Sequence, residues 1–351
     1  MANTFFKSFA EKDRTTSRTL LHEAIPITGS LVSGTYVANE NIKTFSHAMF
    51  NSVYDYPYLS SSANHIFDVS YGFSSNSGWN IATSSYTAKK LNMYNQMAQI
   101  LVGFDPSGSV RRFDADGDLT AGTKHDEVFF MNFSRLLVKD EIKKGSFTLS
   151  LGTASTYATP FGSMAGSEII DTITDTGSLT NYHTNSPAGE YGILTQTATG
   201  VNVGLIYYQA GIAVLTASVL GAGDATIFAE GGDGPTGTHN QVITSSTIQQ
   251  MGTAFTHRIQ TMQFNNTTEL NSTIYFCRAN HNEFNYSSNP TYLSGSKVIV
   301  KADDNKTPPR SYVTTVGLYS ADNELLAVAK LSEPLRKDPT NELTLRVRLD
   351  Y

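Results

Sequence analysis

The chain has 351 residues, a formal net charge of -6, and charged side chains at only 16% of positions. Such a length is compatible with two or three packed domains, so core size is no constraint. No basic run is available to neutralise a phosphate backbone, so a nucleic-acid partner is not expected. The single cysteine, Cys277, excludes an internal disulfide framework and a multi-cysteine zinc site.

Ser, Thr, Asn and Gly take the place of the missing charge, and aromatics reach 11%. That mixture favours sheet and loop over water-exposed helix. The start, Met1-Ala-Asn-Thr-Phe-Phe-Lys, has no basic region leading into an apolar core, so no signal peptide is expected. The most apolar stretch, 203–220, is interrupted by Gly204, Tyr207, Tyr208, Gln209 and Gly211, and stable membrane insertion is not expected.

Residues 1–45 carry short apolar clusters without a sustained period, broken at Pro26, Gly29 and Gly34, and read as an extended N-terminal arm with a short helix near its start. Phe5, Phe6 and Phe9 are the side chains expected to anchor it. Residues 46–151 read as a helix-strand domain. Phe45, Met49 and Val53 at four-residue spacing predict a helix from Thr44 to Pro57, followed by an aromatic knot holding Tyr56 and Tyr58. A second helix has Leu91, Tyr94, Met97, Ala98 and Leu101 on one face and Gly103 as its stop.

Asp114-Ala-Asp-Gly-Asp118 places carboxylates at alternate positions, like the opening of a calcium loop. The sixth and twelfth positions, Leu119 and His125, lack the glycine and glutamate such a loop uses, so a solvated acidic turn is expected. Val128–Phe133 and Ser146–Leu151 read as strands separated by a Lys143-Lys144-Gly145 turn. The middle region, 152–243, opens with a Ser/Thr/Gly-rich loop to about 185. β signal returns in Tyr191–Thr197 and Val201–Tyr208, paired across Ala198-Thr-Gly200, and in a central strand from Gly211. Gly231-Gly-Asp-Gly-Pro-Thr-Gly237 lacks the Lys-Ser/Thr of a phosphate loop.

In the last region, 244–351, Ile248, Met251, Phe255, Ile259 and Met262 step by three and four behind the cap candidates Ser245, Ser246 and Thr247. A strand, Thr273–Ala279, follows, with Cys277 as a small buried hydrophobe. Next come a polar aromatic loop with Tyr286 and Tyr292, and a short strand, Lys297–Lys301. Ser311–Ser320 and Ala321–Lys330 read as a hairpin around Ser320-Ala-Asp-Asn323. Leu343, Leu345, Val347, Leu349 and Tyr351 then alternate with polar residues, which puts Arg346 and Arg348 on the outward face of a last strand.

No catalytic constellation emerges. The eight histidines are scattered without i, i+4 metal spacing, and zincin, nucleophile-elbow and kinase patterns are absent. Neither an enzyme nor a cofactor is expected, and the candidate site residues are interface ones: Phe5, Phe6, Phe9, Tyr56, Tyr58, Tyr286, Tyr292, Arg346 and Arg348. The fold class is α+β and β-dominated, with antiparallel sheets, two main amphipathic helices and long Gly/Ser/Thr-rich loops.

Three blocks carry a resemblance: Phe284-Asn-Tyr-Ser-Ser-Asn-Pro-Thr-Tyr292, Thr314–Leu331 with its Val-Gly-Leu-Tyr and Glu-Leu-Leu-Ala-Val-Ala elements, and the terminal Leu345-Arg-Val-Arg-Leu-Asp-Tyr351. They resemble virion structural proteins of large contractile-tailed bacteriophages, including marine myoviruses. Asp55–His65 and Ser186–Gly192 are similar to the same group. The resemblance implies a tail or baseplate subunit in the virion, assembled in the host cytoplasm. Its partners would be other virion proteins and further copies of itself. A neck, collar or capsid-decorating protein is the alternative, as is a receptor- or glycan-binding module. It implies no catalytic residues.

Overall fold

A computed structural model describes residues 6–27, 40–78, 80, 84–119, 121–152, 170–220, 246–287, 289–299 and 308–351. Expectations for Phe5, for the stretch 153–169 and for the glycine-rich run 231–237 lie outside the described residues. Along the chain the first strands are β1 (Arg14–Ile27), β2 (Ile42–Lys43), β3 (Asn51–Tyr54), β4 (His65–Phe73), β5 (Phe113–Asp114), β6 (Lys124–His125), β7 (Glu127–Phe133) and β8 (Glu141–Ile142). Then come β9 (Thr148–Gly152), β10 (Ile170–Thr174), β11 (Tyr191–Gln196), β12 (Asn202–Tyr207), β13 (Ile212–Thr216) and β14 (Ile259–Ala279). The last are β15 (Leu293–Ser294), β16 (Lys297–Val298), β17 (Ser311–Tyr319), β18 (Leu325–Lys337) and β19 (Leu343–Asp350). The α-helices among the described residues are α1 (Ser85–Leu101), α2 (Arg135–Val138) and α3 (Ile248–Thr256). The fold is α+β and β-dominated, its sheets antiparallel and its two longer helices α1 and α3.

Two compact units divide the chain: a terminal unit of Met1–Leu20 with Glu269–Tyr351, and a middle unit of Leu21–Thr268. In the middle unit the sheet runs β14-β9-β10-β11-β12-β13-β7-β4-β3-β2. β14 joins it through Ile259–Gln263, opposite β9, and pairs with β8 at Asn266 and Thr267. Parity explains why its central strands read as unbroken apolar runs. Val128, Phe130, Leu205, Tyr207 and Val214 join one cluster with Tyr94, Ala98 and Leu101 of α1. Their alternate neighbours Phe129, Met131, Ile206, Tyr208, Ala213 and Leu215 join another with Met251 and Phe255 of α3. A sheet covered on both faces has no polar positions to give. Each buried aromatic or branched side chain contributes about 1.5–3 kcal/mol of hydrophobic stabilisation.

Both helices are specified locally. Ser84 caps α1, its Oγ accepting the Thr87 N–H at 3.1 Å. Thr247 and Gln250 close a reciprocal capping box on α3, at 3.1 and 2.9 Å. α1 lies against β4 at Gly72. A β-carbon there would meet Tyr94 N at 2.8 Å and Lys90 O at 2.9 Å, so only glycine allows the approach.

Several expectations are corrected. The helix expected from Thr44 is instead a turn and β3. Ala48 has φ +57°, and Asn51, Ser52 and Val53 are buried consecutively, which one helix face cannot achieve. Asn51 is held there by donating to Gln249 O at 2.9 Å and Thr253 Oγ1 at 3.1 Å. α3 stops at Thr256, and Ile259 and Met262 belong to β14. A register shift between Ile259 and Thr261 puts both residues on the inner side three apart, which mimics helical spacing. The loop expected over 152–185 contains β10, an interior strand between β9 and β11. The strand carrying Cys277 is also longer than expected, and Cys277 is half-buried, its thiol pushed up by burial.

The hairpin, its turn and the last strand form as the pattern predicts. Asn323 takes φ +64° and Ser320 N–H bonds Glu324 O at 2.9 Å. The three strands do not make one sheet, however. β17 and β18 pair only with each other, whereas β19 pairs with β14.

Candidate functional site

The terminal unit is short of a core. Among its described residues only one large apolar side chain, Leu318, is buried. Leu325, Leu326 and Val328 of β18 are 53%, 66% and 53% exposed, and Tyr312 and Tyr319 of β17 are also exposed. A hairpin joined to no further strand is marginal in water. Contiguous exposed apolar side chains on such an element mark an interaction surface.

The densest part of this surface is built around Gly317. A β-carbon there would lie 2.9 Å from Cε2 of Tyr319 and 3.4 Å from Cδ1 of Leu325, so the glycine leaves the slot those side chains fill. Val328 stands opposite Gly317 in the register. Phe6 meets the Tyr319 ring edge-on at 4.8 Å. The four side chains form an exposed apolar patch. Sequence reasoning missed Tyr319, Leu325 and Val328. The available signal was Leu325-Leu-Ala-Val-Ala329, which is apolar on both faces of a two-stranded element.

The residues singled out from sequence fall in several places. Phe6 is in the patch, and Phe9 packs at 5.3 Å on Tyr275 of β14. The arm lies along the terminal unit's own chain. Lys7 pairs with Glu283 at 2.5 Å, Asp13 with Arg278 at 2.8 Å, and Arg18 with Glu269. The Lys7 and Arg18 pairs are exposed and contribute little each, about 0–1 kcal/mol, whereas Asp13 is buried. Tyr286 is exposed on the loop after β14, and Tyr292 is half-buried in a single 3₁₀ turn. Arg346 and Arg348 are exposed on β19, as its alternation predicts, but Leu343, Leu345, Val347 and Leu349 are only half-buried. Tyr56 and Tyr58 are exposed in the middle unit, at the turn after β3.

Two features of the middle unit could hold a small ligand. Carboxylate oxygens of Asp114, Asp116 and Asp118 lie within 4.8 Å of one another. Asp114 is fully buried, and its Oδ2 accepts from Lys124 Nζ at 2.6 Å and from the Leu119 N–H at 2.8 Å. The lysine supplies a compensating charge from within the protein. A groove of about 460 Å³ is lined by Lys143, Lys144, Ser146, Thr148, Gln263 and Asn265, with Ile25 and Phe264. Lys144 is held by Glu190 at 2.5 Å and lies 4.8 Å from the Tyr182 ring centre. No helix among the described residues is long and apolar enough to cross a membrane.

No protein-family profile matches the sequence, and neither a characterised protein nor a solved structure is similar to the chain at a significant level.

Proposed function

We propose that this chain is a structural subunit of a tailed-phage virion, in the tail or baseplate, acting through subunit interfaces without catalysis. The observation that carries the proposal is the terminal unit, whose described strands bury one large apolar side chain and expose a patch of Phe6, Tyr319, Leu325 and Val328. A unit of this kind gains its missing core from neighbours. The resemblance of its sequence blocks to virion proteins of contractile-tailed phages supports the same reading. Its partners are other virion proteins and further copies of the chain.

Mass spectrometry and cryo-electron microscopy of purified particles test the proposal. The expected map has several copies of the chain in the tail, with the β17–β18 hairpin buried against neighbouring subunits. Phe6→Ala combined with Tyr319→Ala is expected to lower incorporation. Contacts confined to neck or capsid subunits would move the subunit there, and absence of the chain from particles would overturn the reading. The groove beside Lys144 favours a second reading, a receptor- or glycan-binding module. That reading requires the groove to stay open in the particle and a glycan array to return a saccharide ligand.

A further inference from the structure

The register of β19 on β14 determines which of its backbone groups are satisfied. Asn271 and Tyr351 exchange both bonds, with Tyr351 N–H to Asn271 O at 2.8 Å and Asn271 N–H to Tyr351 O at 3.0 Å. Bonded and non-bonded pairs alternate along an antiparallel ladder. Thr273↔Leu349, Tyr275↔Val347 and Cys277↔Leu345 are therefore bonded pairs, and Ser272↔Asp350, Ile274↔Arg348, Phe276↔Arg346 and Arg278↔Thr344 are not. It follows that Thr344, Arg346, Arg348 and Asp350 direct their N–H and C=O groups away from β14. No strand lies against that edge among the described residues. β19 is eight residues long, without proline and without a register shift.

We propose that the free edge of β19 receives an extended strand from a partner protein, one that alternates acidic and apolar residues. Residues opposite one another across a strand pair share a face. An incoming strand thus needs acids opposite Arg346 and Arg348, and apolar side chains opposite Leu345, Val347 and Leu349. The half-buried state of that apolar row fits a face that stops one strand short. Arg348 is tied to Asp350 at 2.7 Å, whereas Arg346 makes no hydrogen bond or ion pair among the described residues. Charges on an edge repel indiscriminate pairing. Here the same charges select a complementary strand, while the main chain supplies the affinity. The inference rests on the reading of the chain as an assembly subunit and names the chemistry of one partner.

The test uses the full chain and two synthetic peptides of equal length, one alternating Glu with Val and the other Lys with Val. Amide hydrogen exchange is followed by NMR. The Glu peptide is expected to slow exchange at Thr344, Arg346, Arg348 and Asp350 by about tenfold or more, and the Lys peptide is not. N-methylating the edge-facing amides of the Glu peptide should abolish the effect, and Arg346→Glu with Arg348→Glu should reverse the preference. The wild-type comparison stands by itself if that variant does not fold. Protection by neither peptide, or equally by both, overturns the proposal. So does protection of the same amides that grows with protein concentration alone, which would make the occupant a second copy. Absence of the chain from virions would sink the function proposed above and leave the peptide result untouched.

Discussion

His125 is almost fully buried in β6, and its Nε2 has no hydrogen-bond partner among the described residues. Burial lowers its pKa to about 4, against a small opposing pull from Asp126. The folded chain therefore keeps the imidazole neutral down to about pH 4, while the unfolded chain protonates it near 6.5. Between those values the unfolded state binds more protons, so stability falls as pH falls. The stabilisation is complete above pH 6.5 and declines by roughly 3 kcal/mol in total by pH 4. Glu127 and Asp175 act in the opposite direction, because burial raises both carboxyls and favours the folded state in acid. The difference between wild type and His125→Leu isolates the histidine. Urea titrations from pH 7 to pH 4 should show the variant losing less stability than wild type, and parallel curves would refute the assignment.

At the scale of elements, Lys337 ends β18 with no exposed surface, and its ammonium donates to Asn285 Oδ1 at 2.8 Å, Asp338 O at 2.9 Å and His281 O at 3.3 Å. It fastens the loop that carries Tyr286 to the hairpin. Lys337→Met strands those acceptors and should cost about 2 kcal/mol. Exchange measured from His281 to Tyr286 should quicken, and unchanged rates would deny the lysine this role. What the sequence disclosed of the elements follows from period. α1, β7, β11, β12, β13 and β19 each kept a single uninterrupted pattern and were legible. Where one pattern imitated another, the reading failed, as at Ile259 and Met262, whose bulged register mimics a helix. β10 was hidden because Asp171 and Thr172 interrupt its only isoleucines. The exposed apolar patch was half legible. Phe6 stood out as an anchor of the expected arm, but Tyr319 and Val328 converge only through the cross-strand register and the slot at Gly317.

At the scale of the whole molecule, the two hydrophobic clusters among the described residues both belong to the middle unit. The isolated chain should accordingly lose its terminal unit first. Native-state hydrogen exchange is expected to give lower opening free energies for β17 and β18 than for β7 and β13, by several kcal/mol. Equal values across both units would show that the terminal unit needs no support. The double-sided burial of the central strands has a further consequence, which concerns inheritance. Val128–Met131, Val203–Tyr207 and Ala213–Leu215 contain no exposed position at which a lineage could experiment. β18 as far as Arg336, and β19 at every second residue, expose side chains. Substitutions there would let a subunit of the proposed kind follow an altered neighbour without passing through an unfolded ancestor, so the two parts of the gene are free to drift at different speeds.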